Sequence, residues 1–595
     1  MRRIIIFYVL LSIGMQLFAH EETVFIVGNL YYRITSSLER TVEVAPITDA
    51  CRYYNGDFVI PDSVEYNGTY YKVTAIGDNA FFHATINSLV LPQNIQTIKY
   101  GGFFSAKLPV SIVLPDSLKS IDEMAFYGAY GVANIYLPAS VENITIRAFG
   151  YMPNLLNLVV DTANPYFTSF GGVLYSKDMT KLLSYPKAKG GNFTIPNGVT
   201  YIEICAFEVS NIQTVTFPNT VSVIKASAFS ECDDLRVVHI PASITNIEGG
   251  VFRGCENLNN FTIDSFNPNY TILNNILYSK NLDTLKCSPT GRDTVRVLEG
   301  VRVIDESAFC GLKRIKYVVL PEGVEYIEPG AFMSSNLRGI TLSQTLKRIG
   351  LSAFYDCALL QSIEIPNSVT ELGNLVFSGS GIKSAVMSDS VKVLPYGVFG
   401  GCASLKSYSG GNSIERIENS AFYYCTSLPS KIVFPPTLKV IEDEAFLLAP
   451  ITEVEFTGIV DSIGEINFGD IKKLILVNPT PPYSRKAVNS CDSIIIPCGA
   501  TQAYLSDPNW SSYNYTEDCD GVEDIDPQSA VQVVAQHKAV DVYNAENYSV
   551  AIYDLMGRCH TAEPATGYNL RHYTLPNSGV YIVRVNGKGY KVVVQ

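Results

Sequence analysis

The sequence predicts a mostly β fold: a solenoid of about 15 or more turns of 22–24 residues with β-hairpin insertions, then a small C-terminal β-sandwich. Three observations predict it. The pair Ala-Phe, or a close variant, recurs along most of the 595-residue chain. One longer segment occurs twice. The last 65 or so residues lack the repeat and are rich in short β-type runs.

The repeat carries fifteen phenylalanines, from Phe81 to Phe468, spaced 22 to 24 residues apart. The spacing breaks twice, with 58 residues from Phe149 to Phe207 and 57 from Phe252 to Phe309. Clean units are LRVVHIPASITNIEGGVF (235–252) and LQSIEIPNSVTELGNLVF (360–377). The L-x-x-I-x-I part alternates as a half-buried strand does. Pro ends that strand because it has no N–H for the next ladder bond. Asn, Asp, Ser and Gly then supply turn chemistry, and V-x-x-I returns along the other side. At the corner, Ala lets backbones approach and Phe fills the interior. Cys232, Cys255, Cys357, Cys402 and Cys425 each follow a corner Phe by three residues. A position that recurs in this way is a small apolar core site, so these are expected to be buried free thiols.

NPYFTSFGGVLYSKDMTKLLSYP (164–186) and NPNYTILNNILYSKNLDTLKCSP (267–289) align without a gap and share nine of 23 residues. They fill the two long intervals. Each reads as a strand, a turn at Lys-Asp or Lys-Asn and a second strand, which makes a β-hairpin in a turn that lacks its corner. The copies share no acid, base or nucleophile beyond a serine and a lysine that suit the turn, so the duplication is scaffold. VGNLYYRITSSLERTVEVA near the N-terminus looks like a third hairpin.

The I-P-x-S-V-x-x-I-G-x-x-A-F-x-x-C-x-x-L pattern, as in IPNSVTELGNLVF and LPEGVEYIEPGAF, resembles the BspA-like, Treponema-type leucine-rich repeats of bacterial surface proteins. VEYNGTYYKVTAIGDNAF (64–81) looks like the start of such an array. SIIIPCGATQAYLSDPNWSSY (493–513) looks like its end, where a short helix covers the open core. The resemblance implies a non-catalytic protein associated with adhesion to host matrix proteins and other bacteria.

After an acidic stretch, VAIYDLMGR (550–558), SGVYIVRV (578–585) and the ending YKVVVQ resemble the C-terminal sorting domain of type IX-secreted proteins of the Bacteroidetes. VRVNGKGYKVVV adds a hairpin signal at Asn586-Gly587. The N-terminal MRRIIIFYVLLSIGMQLFAHEE has the basic, apolar, small-residue order of a signal peptide, and its apolar run is shorter than the ~20 residues a membrane span needs. The expected organisation is a signal peptide (1–19), an N-terminal β-hairpin cap (20–75), the repeat array with its closing cap (76–515), a linker (516–528) and the sorting-like sandwich (529–595).

A formal net charge of −13 disfavours nucleic acid as a partner. The six histidines (His20, His83, His239, His537, His560 and His572) are scattered, with no zinc-type spacing. C-x-x-C, G-x-S-x-G, P-loop and G-x-G-x-x-G motifs are absent from the sequence. The sequence therefore assigns no catalytic residue, metal ligand or cofactor. Cys491, Cys498 and Cys519 leave room for one disulfide.

The remaining candidate site is the strand side of the array. Its exposed position reads, turn by turn, Val90, Val113, Tyr136, Val159, Thr216, His239, Thr262, Val319, Thr341 and Glu364. That mostly β-branched, nearly uncharged strip suits a long flat contact with another macromolecule, although such residues also simply favour strands. Asp-Ser or Asp-Thr before an aliphatic residue or Ala occurs at Ser63, Ser117, Thr162, Thr284, Thr294, Ser390, Ser462 and Ser493. This looks like the O-glycosylation acceptor of exported Bacteroidetes proteins, with Thr284 and Thr294 favoured. The expected function is binding to host or bacterial surface proteins at the outer-membrane cell surface. A structural spacer and a glycan-binding module are the alternatives.

Overall fold

The computed structural model describes residues 23–47, 53–289, 293–465, 467–486, 488–519, 532–536, 539–543, 549–554, 558–563, 570–576, 579–585 and 588–594. The signal peptide, most of the linker and the Asn586-Gly587 turn lie outside them. Two compact units divide the chain, residues 1–428 with 445–450 and residues 429–444 with 451–595.

In the first unit most turns give one short strand to each of two parallel ladders. Ile212–Thr216, Val237–Ile240 and Asn260–Ile263 pair in parallel on one side. The two-residue strands Tyr201–Ile202, Val223–Ile224 and Asn246–Ile247 do so on the other. Between the ladders the corner phenylalanines form the core. Rings of successive turns stack at centroid distances from 4.6 Å (Phe207–Phe229) to 5.7 Å (Phe126–Phe149), nearly parallel. Isolated aromatic pairs prefer offset or edge-on contacts. Here the ladder repeats at the ~4.8 Å spacing of strands and places the same ring in every turn, so face-to-face stacking is imposed. The stack runs unbroken from Phe309 to Phe446.

The corner backbone explains the Ala. The N–H of Phe126 donates to Ala148 O at 2.8 Å and that of Phe309 to Ala331 O at 2.7 Å, so a corner Phe is bonded to the residue before the next one, an Ala in most turns and Gly102, Val251, Val376 or Val398 in others. The residue just before the Ala is left-handed, with φ of 57° at Ser420 and 58° at Arg147. So is the residue two beyond the Phe, with φ of 56° at Glu231 and 57° at Tyr424. Such backbone costs ~1–2 kcal/mol outside Gly and persists because the ladder bonds on both sides fix it.

The thiols sit as expected. Cys232, Cys255, Cys357, Cys402 and Cys425 are buried and free. Each Sγ donates to the carbonyl of a Phe in the previous turn, at 3.0 Å for Cys232 to Phe207 O and 3.1 Å for Cys357 to Phe332 O. Burial pushes the Cys357 thiol up to about 12 and that of Cys402 up to about 11. All five are expected to resist alkylation at pH 8 in the native protein and to react once it is unfolded. A native peptide pair cross-linked through Cys232 and Cys255 would overturn this.

The duplicated segments are not two-stranded hairpins. Each is a three-stranded antiparallel meander, Phe167–Phe170, Val173–Ser176 and Lys181–Ser184 in one copy and Tyr270–Leu273, Ile276–Ser279 and Thr284–Cys287 in the other. The missed first turn is Gly171-Gly172 or Asn274-Asn275, all four residues with positive φ, as a two-residue hairpin turn requires. The third strand enters the array, because Lys181–Ser184 pairs in parallel with Tyr201–Ile202. Tyr185 then takes the missing corner: its N–H donates to Ala206 O at 2.7 Å and its ring stacks 4.8 Å from Phe207.

Buried asparagines hold both meanders to the preceding turn. Asn164 Nδ2 donates to Pro138 O and Val141 O at 3.1 and 2.9 Å, while its Oδ1 accepts from the N–H groups of Tyr166 and Phe167, both at 2.8 Å. Asn267 repeats this with Pro241 O and Ile244 O at 2.9 and 3.0 Å and with the N–H groups of Asn269 and Tyr270 at 3.0 and 2.9 Å. The N-terminal segment is a third meander, Val24–Val27, Leu30–Ser36 and Thr41–Ala45, again entering a ladder by parallel pairing with Thr69–Ile76. The ladders begin before residue 76, since Asn55–Val59 already pairs with Thr85–Val90. The first of these turns closes on Phe81 and the second on Phe103, so the array starts at the strand before its first corner Phe.

In the second unit Lys431–Phe434, Glu453–Phe456, Phe468–Ile475, Val488–Pro497 and Tyr515–Asp518 form one parallel sheet. Two expectations change here. Phe468 opens an eight-residue strand instead of turning a corner. Residues 516–518, placed in the linker, continue the last strand of the sheet, Tyr515–Asp518, and the disulfide Cys498–Cys519 ties it to the end of its neighbour. Helix Thr501–Ser506 covers the core with buried Tyr504, and Trp510 is buried beside it with Nε1 donating to Pro482 O at 2.9 Å. The C-terminal residues form two small antiparallel sheets, one of three strands and one of four, around a cluster that includes Val540, Val550, Ile552 and Val583.

Candidate functional site

Along each longer strand, side chains alternate between core and solvent. In Val237–Ile240, Val238 and Ile240 are buried while Val237 and His239 are exposed. Parallel pairing in register then stacks equivalent exposed residues into columns. Tyr136 lies opposite Val159, His239 opposite Thr262, and Val319 opposite Thr341. His239 Nδ1 and Thr262 Oγ1 are 3.0 Å apart. Val90, Val113, Tyr136, Thr216, His239, Thr262, Thr341 and Glu364 are exposed, and Val159 and Val319 are half-buried.

The same columns contain residues that the sequence strip omitted. Val59 precedes Val90, Thr194 precedes Thr216, Arg296 precedes Val319, and Val386 and Ser409 follow Glu364. Val59 and Thr194 carried the I-P signal, and their turns close on Phe81 and Phe207. A second exposed column runs two residues earlier and bonds across turns. Ser88 Oγ donates to Asp57 Oδ1 at 2.6 Å, Asn157 Nδ2 to Asn134 Oδ1 at 2.8 Å, and Thr214 Oγ1 to Asn192 Oδ1 at 2.8 Å.

The opposite, two-residue-strand side is different in kind. Lys225 pairs with Glu248 at 2.8 Å, Glu325 with both Arg302 at 3.2 Å and Lys347 at 2.9 Å, Arg348 with Glu328 at 2.7 Å and Lys392 with Glu415 at 2.7 Å. Lys347 and Lys392 are held above the usual lysine range, and Glu325 below the usual carboxylate range, by hydrogen bonds to these partners. Exposed pairs of this sort add little to stability, because solvent screens them. Their larger effect is to neutralise that face, whereas on the longer-strand side the outer column from Val59 to Tyr136 carries no charge.

A second aromatic stack follows the corners outside the core. Phe82, Phe104, Tyr127 and Tyr151 stack at 5.5, 5.5 and 5.8 Å, and Lys187 Nζ lies 4.7 Å from the Tyr151 centroid. Their faces cover one another, so only edges remain, whereas a sugar ring is gripped by an open aromatic face.

Among the described residues, one cluster has metal-type composition: Cys498, Glu517 and Cys519. Its sulfurs are joined as a disulfide. Its carboxylate accepts hydrogen bonds from Gly499 N at 2.9 Å and from Thr501 N and Oγ1 at 3.0 and 2.7 Å, an arrangement that caps the helix. Two histidines meet carboxylates, His572 Nδ1 with Asp541 Oδ1 at 2.5 Å and His560 Nε2 with Asp554 Oδ2 at 3.2 Å. His572 and Asp541 are opposite each other on paired strands, the position of a sheet-stabilising pair.

Of the eight candidate acceptor residues, Ser63, Thr162, Thr294 and Ser390 are exposed. Ser117, Thr284, Ser462 and Ser493 are half-buried. The Ser117 hydroxyl donates to Ile95 O of the preceding coil at 2.7 Å, and that of Thr284 donates locally to Asp283 Oδ1 at 2.9 Å.

No curated protein matches the chain. Among solved structures it is similar to the pneumococcal vaccine antigen PcpA at 17% identity, covering 74% of this chain and 99% of that one with a TM-score of 0.34. A leucine-rich repeat protein from Eubacterium ventriosum is similar at 21% identity, covering 61% and 95% with a TM-score of 0.37. A leucine-rich cell surface protein from Faecalibacterium prausnitzii is similar at 21% identity, covering 73% and 95% with a TM-score of 0.31. The model of the BspA type leucine-rich repeat region matches in six copies, at residues 68–171, 184–293, 289–406 and 392–494. With more than half of its length matched, the chain belongs to the BspA type leucine-rich repeat family.

Proposed function

We propose that this chain is an exported cell-surface protein that binds other proteins through the longer-strand face of its array and catalyses nothing. The observation that carries this is the asymmetry of the two ladder faces. Charges on one are consumed in pairs between turns, while the other offers an extended column of Val, Thr, Tyr and His. Uncharged surface of that kind is cheap to desolvate. Host matrix proteins and the surface proteins of neighbouring bacteria are the expected partners, and adhesion is the expected role. The stack from Phe82 to Tyr151 offers a glycan no open ring face.

The signal-like N-terminus and the sorting-like C-terminal domain fit export to the outer surface, with the type IX route as the proposed path. Attached sugar on Ser63, Thr162, Thr294 or Ser390 would hydrate the rim and leave the strand face bare. Intact mass of protein from its native host, compared with the chain made without the pathway, is expected to differ by sugar mass after signal removal. Equal masses would leave these residues as turn formers.

The binding test uses the purified array against immobilised matrix proteins and intact neighbouring bacteria. Saturable capture is expected, reduced by Val90→Asp with Tyr136→Asp and unchanged by Lys225→Ala on the ion-paired face. Equal loss from both faces, or no capture, would favour the spacer reading.

A further inference from the structure

The longer-strand ladder divides into several sheets, and at one turn of the first unit it has no strand at all. Asn55–Val59 pairs with Thr85–Val90, and Asn134–Leu137 with Asn157–Val160, but the turn between them forms no strand. Isolated bridges Thr85↔Lys107 and Lys107↔Tyr130 keep that turn in the ladder up to Lys107. Beyond it, no backbone N–H or C=O of residues 110–114 makes a hydrogen bond among the described residues. Pro109 marks this turn in the sequence: it stands where other turns place the first buried aliphatic residue, such as Leu235 or Leu360. Those residues donate their N–H to Cys232 O and Cys357 O, both at 3.1 Å, a local bond that Pro109 has no N–H to make.

The side chains here are also the most apolar of the strip. Val110 is 82% exposed and Val113 76%, against 55% for Val90 and 61% for Tyr136 on the flanking strands. Val59 continues the column at 70%. After the first meander the column turns polar, through Thr194, Thr216, His239 and Thr262. Exposed apolar side chains and a run of unbonded backbone groups therefore coincide at one place in the array, and no charged residue stands in the column there.

We propose that this window is the docking site for an extended polypeptide segment that is neutral or basic and apolar at alternate positions. The proposal rests on the protein-binding reading and deepens it. An extended chain is the partner class that answers both features. Its own N–H and C=O groups meet the unbonded groups of 110–114, and its alternate side chains cover Val110, Val113 and Tyr136. A net charge of −13 on this chain sets the sign of the partner's charge. Sugars would leave the valines uncovered.

The probe is a set of immobilised 12-residue synthetic peptides: alternating and neutral, alternating and basic, alternating and acidic, and non-alternating of the same composition. The full mature chain is expected to bind the first two. Val110→Asp with Val113→Asp is expected to weaken binding at least about tenfold, equivalent to about 1.4 kcal/mol. Lys225→Ala, on the ion-paired face, should leave it unchanged. Val110→Thr with Val113→Thr keeps the side-chain shape and serves if the double Asp variant misfolds; an intermediate loss is expected. Preference for acidic or non-alternating peptides overturns the proposal, and so does equal weakening by Lys225→Ala. If the chain captures surface proteins but no peptide, the general binding reading stands and the extended-segment proposal falls. Self-association relieved by the double variant, without peptide binding, would assign the window to a second copy of the chain and also overturn it.

Discussion

Replacing Asn267 with Asp is expected to destabilise its region by about 3–5 kcal/mol at neutral pH, the range for an uncompensated buried charge, and by less at acid pH. Asn267 is almost fully buried and makes four hydrogen bonds, two as donor and two as acceptor. A carboxylate keeps the acceptor role but would face Pro241 O and Ile244 O without a proton to give. Burial and those two carbonyl oxygens would raise its folded pKa above the unfolded value. The sign follows from linkage: the folded state holds more protons, so stability is retained below the unfolded pKa and lost as pH rises through the folded one. Hydrogen exchange in the second meander at two pH values reads this directly. A loss independent of pH would show that the side chain is not held between those carbonyls. Asn164→Asp should behave alike in the first meander, because it has the same four partners in kind.

Phe354→Ala is expected to cost about 3–5 kcal/mol, the usual range for deleting a buried aromatic ring. Phe354 is fully buried and stacked between Phe332 at 5.0 Å and Phe377 at 5.5 Å. Neighbouring rungs are fixed by ladder bonds on both sides, so the site has little freedom to collapse. Each turn contacts mainly its neighbours, and the loss should therefore appear as faster hydrogen exchange in the adjoining turns first. A change below about 1 kcal/mol would be far under the cost of emptying such a site and would contradict the stacked register. Phe229→Ala should give a similar loss, with Phe207 and Phe252 as its neighbours.

Both predictions use features with different legibility in the sequence. The Phe period was legible because every turn repeats one spacing, and the spacing alone places the ring inside. The thiol position was legible for the same reason. The duplicated segment was read as scaffold because it carried turn chemistry without a catalytic set. Its third strand was missed, although Gly171-Gly172 and Asn274-Asn275 mark the extra turn. Tyr185 on the corner rung was missed because no Ala precedes it. Cys498–Cys519 stayed open among three cysteines until the last strand, Tyr515–Asp518, was seen beside Val488–Pro497.

Within the site, the sequence determined which residue of each strand faces outward, since alternation is local and Pro marks the strand end. Tertiary structure alone decided where that face is interrupted. The hydrogen-bond partner of every ladder group lies one turn away, some twenty residues along the chain. The strand pattern of 110–114 therefore gave no sign that its partners were lost, and the stacking of turns around Pro109 settled it.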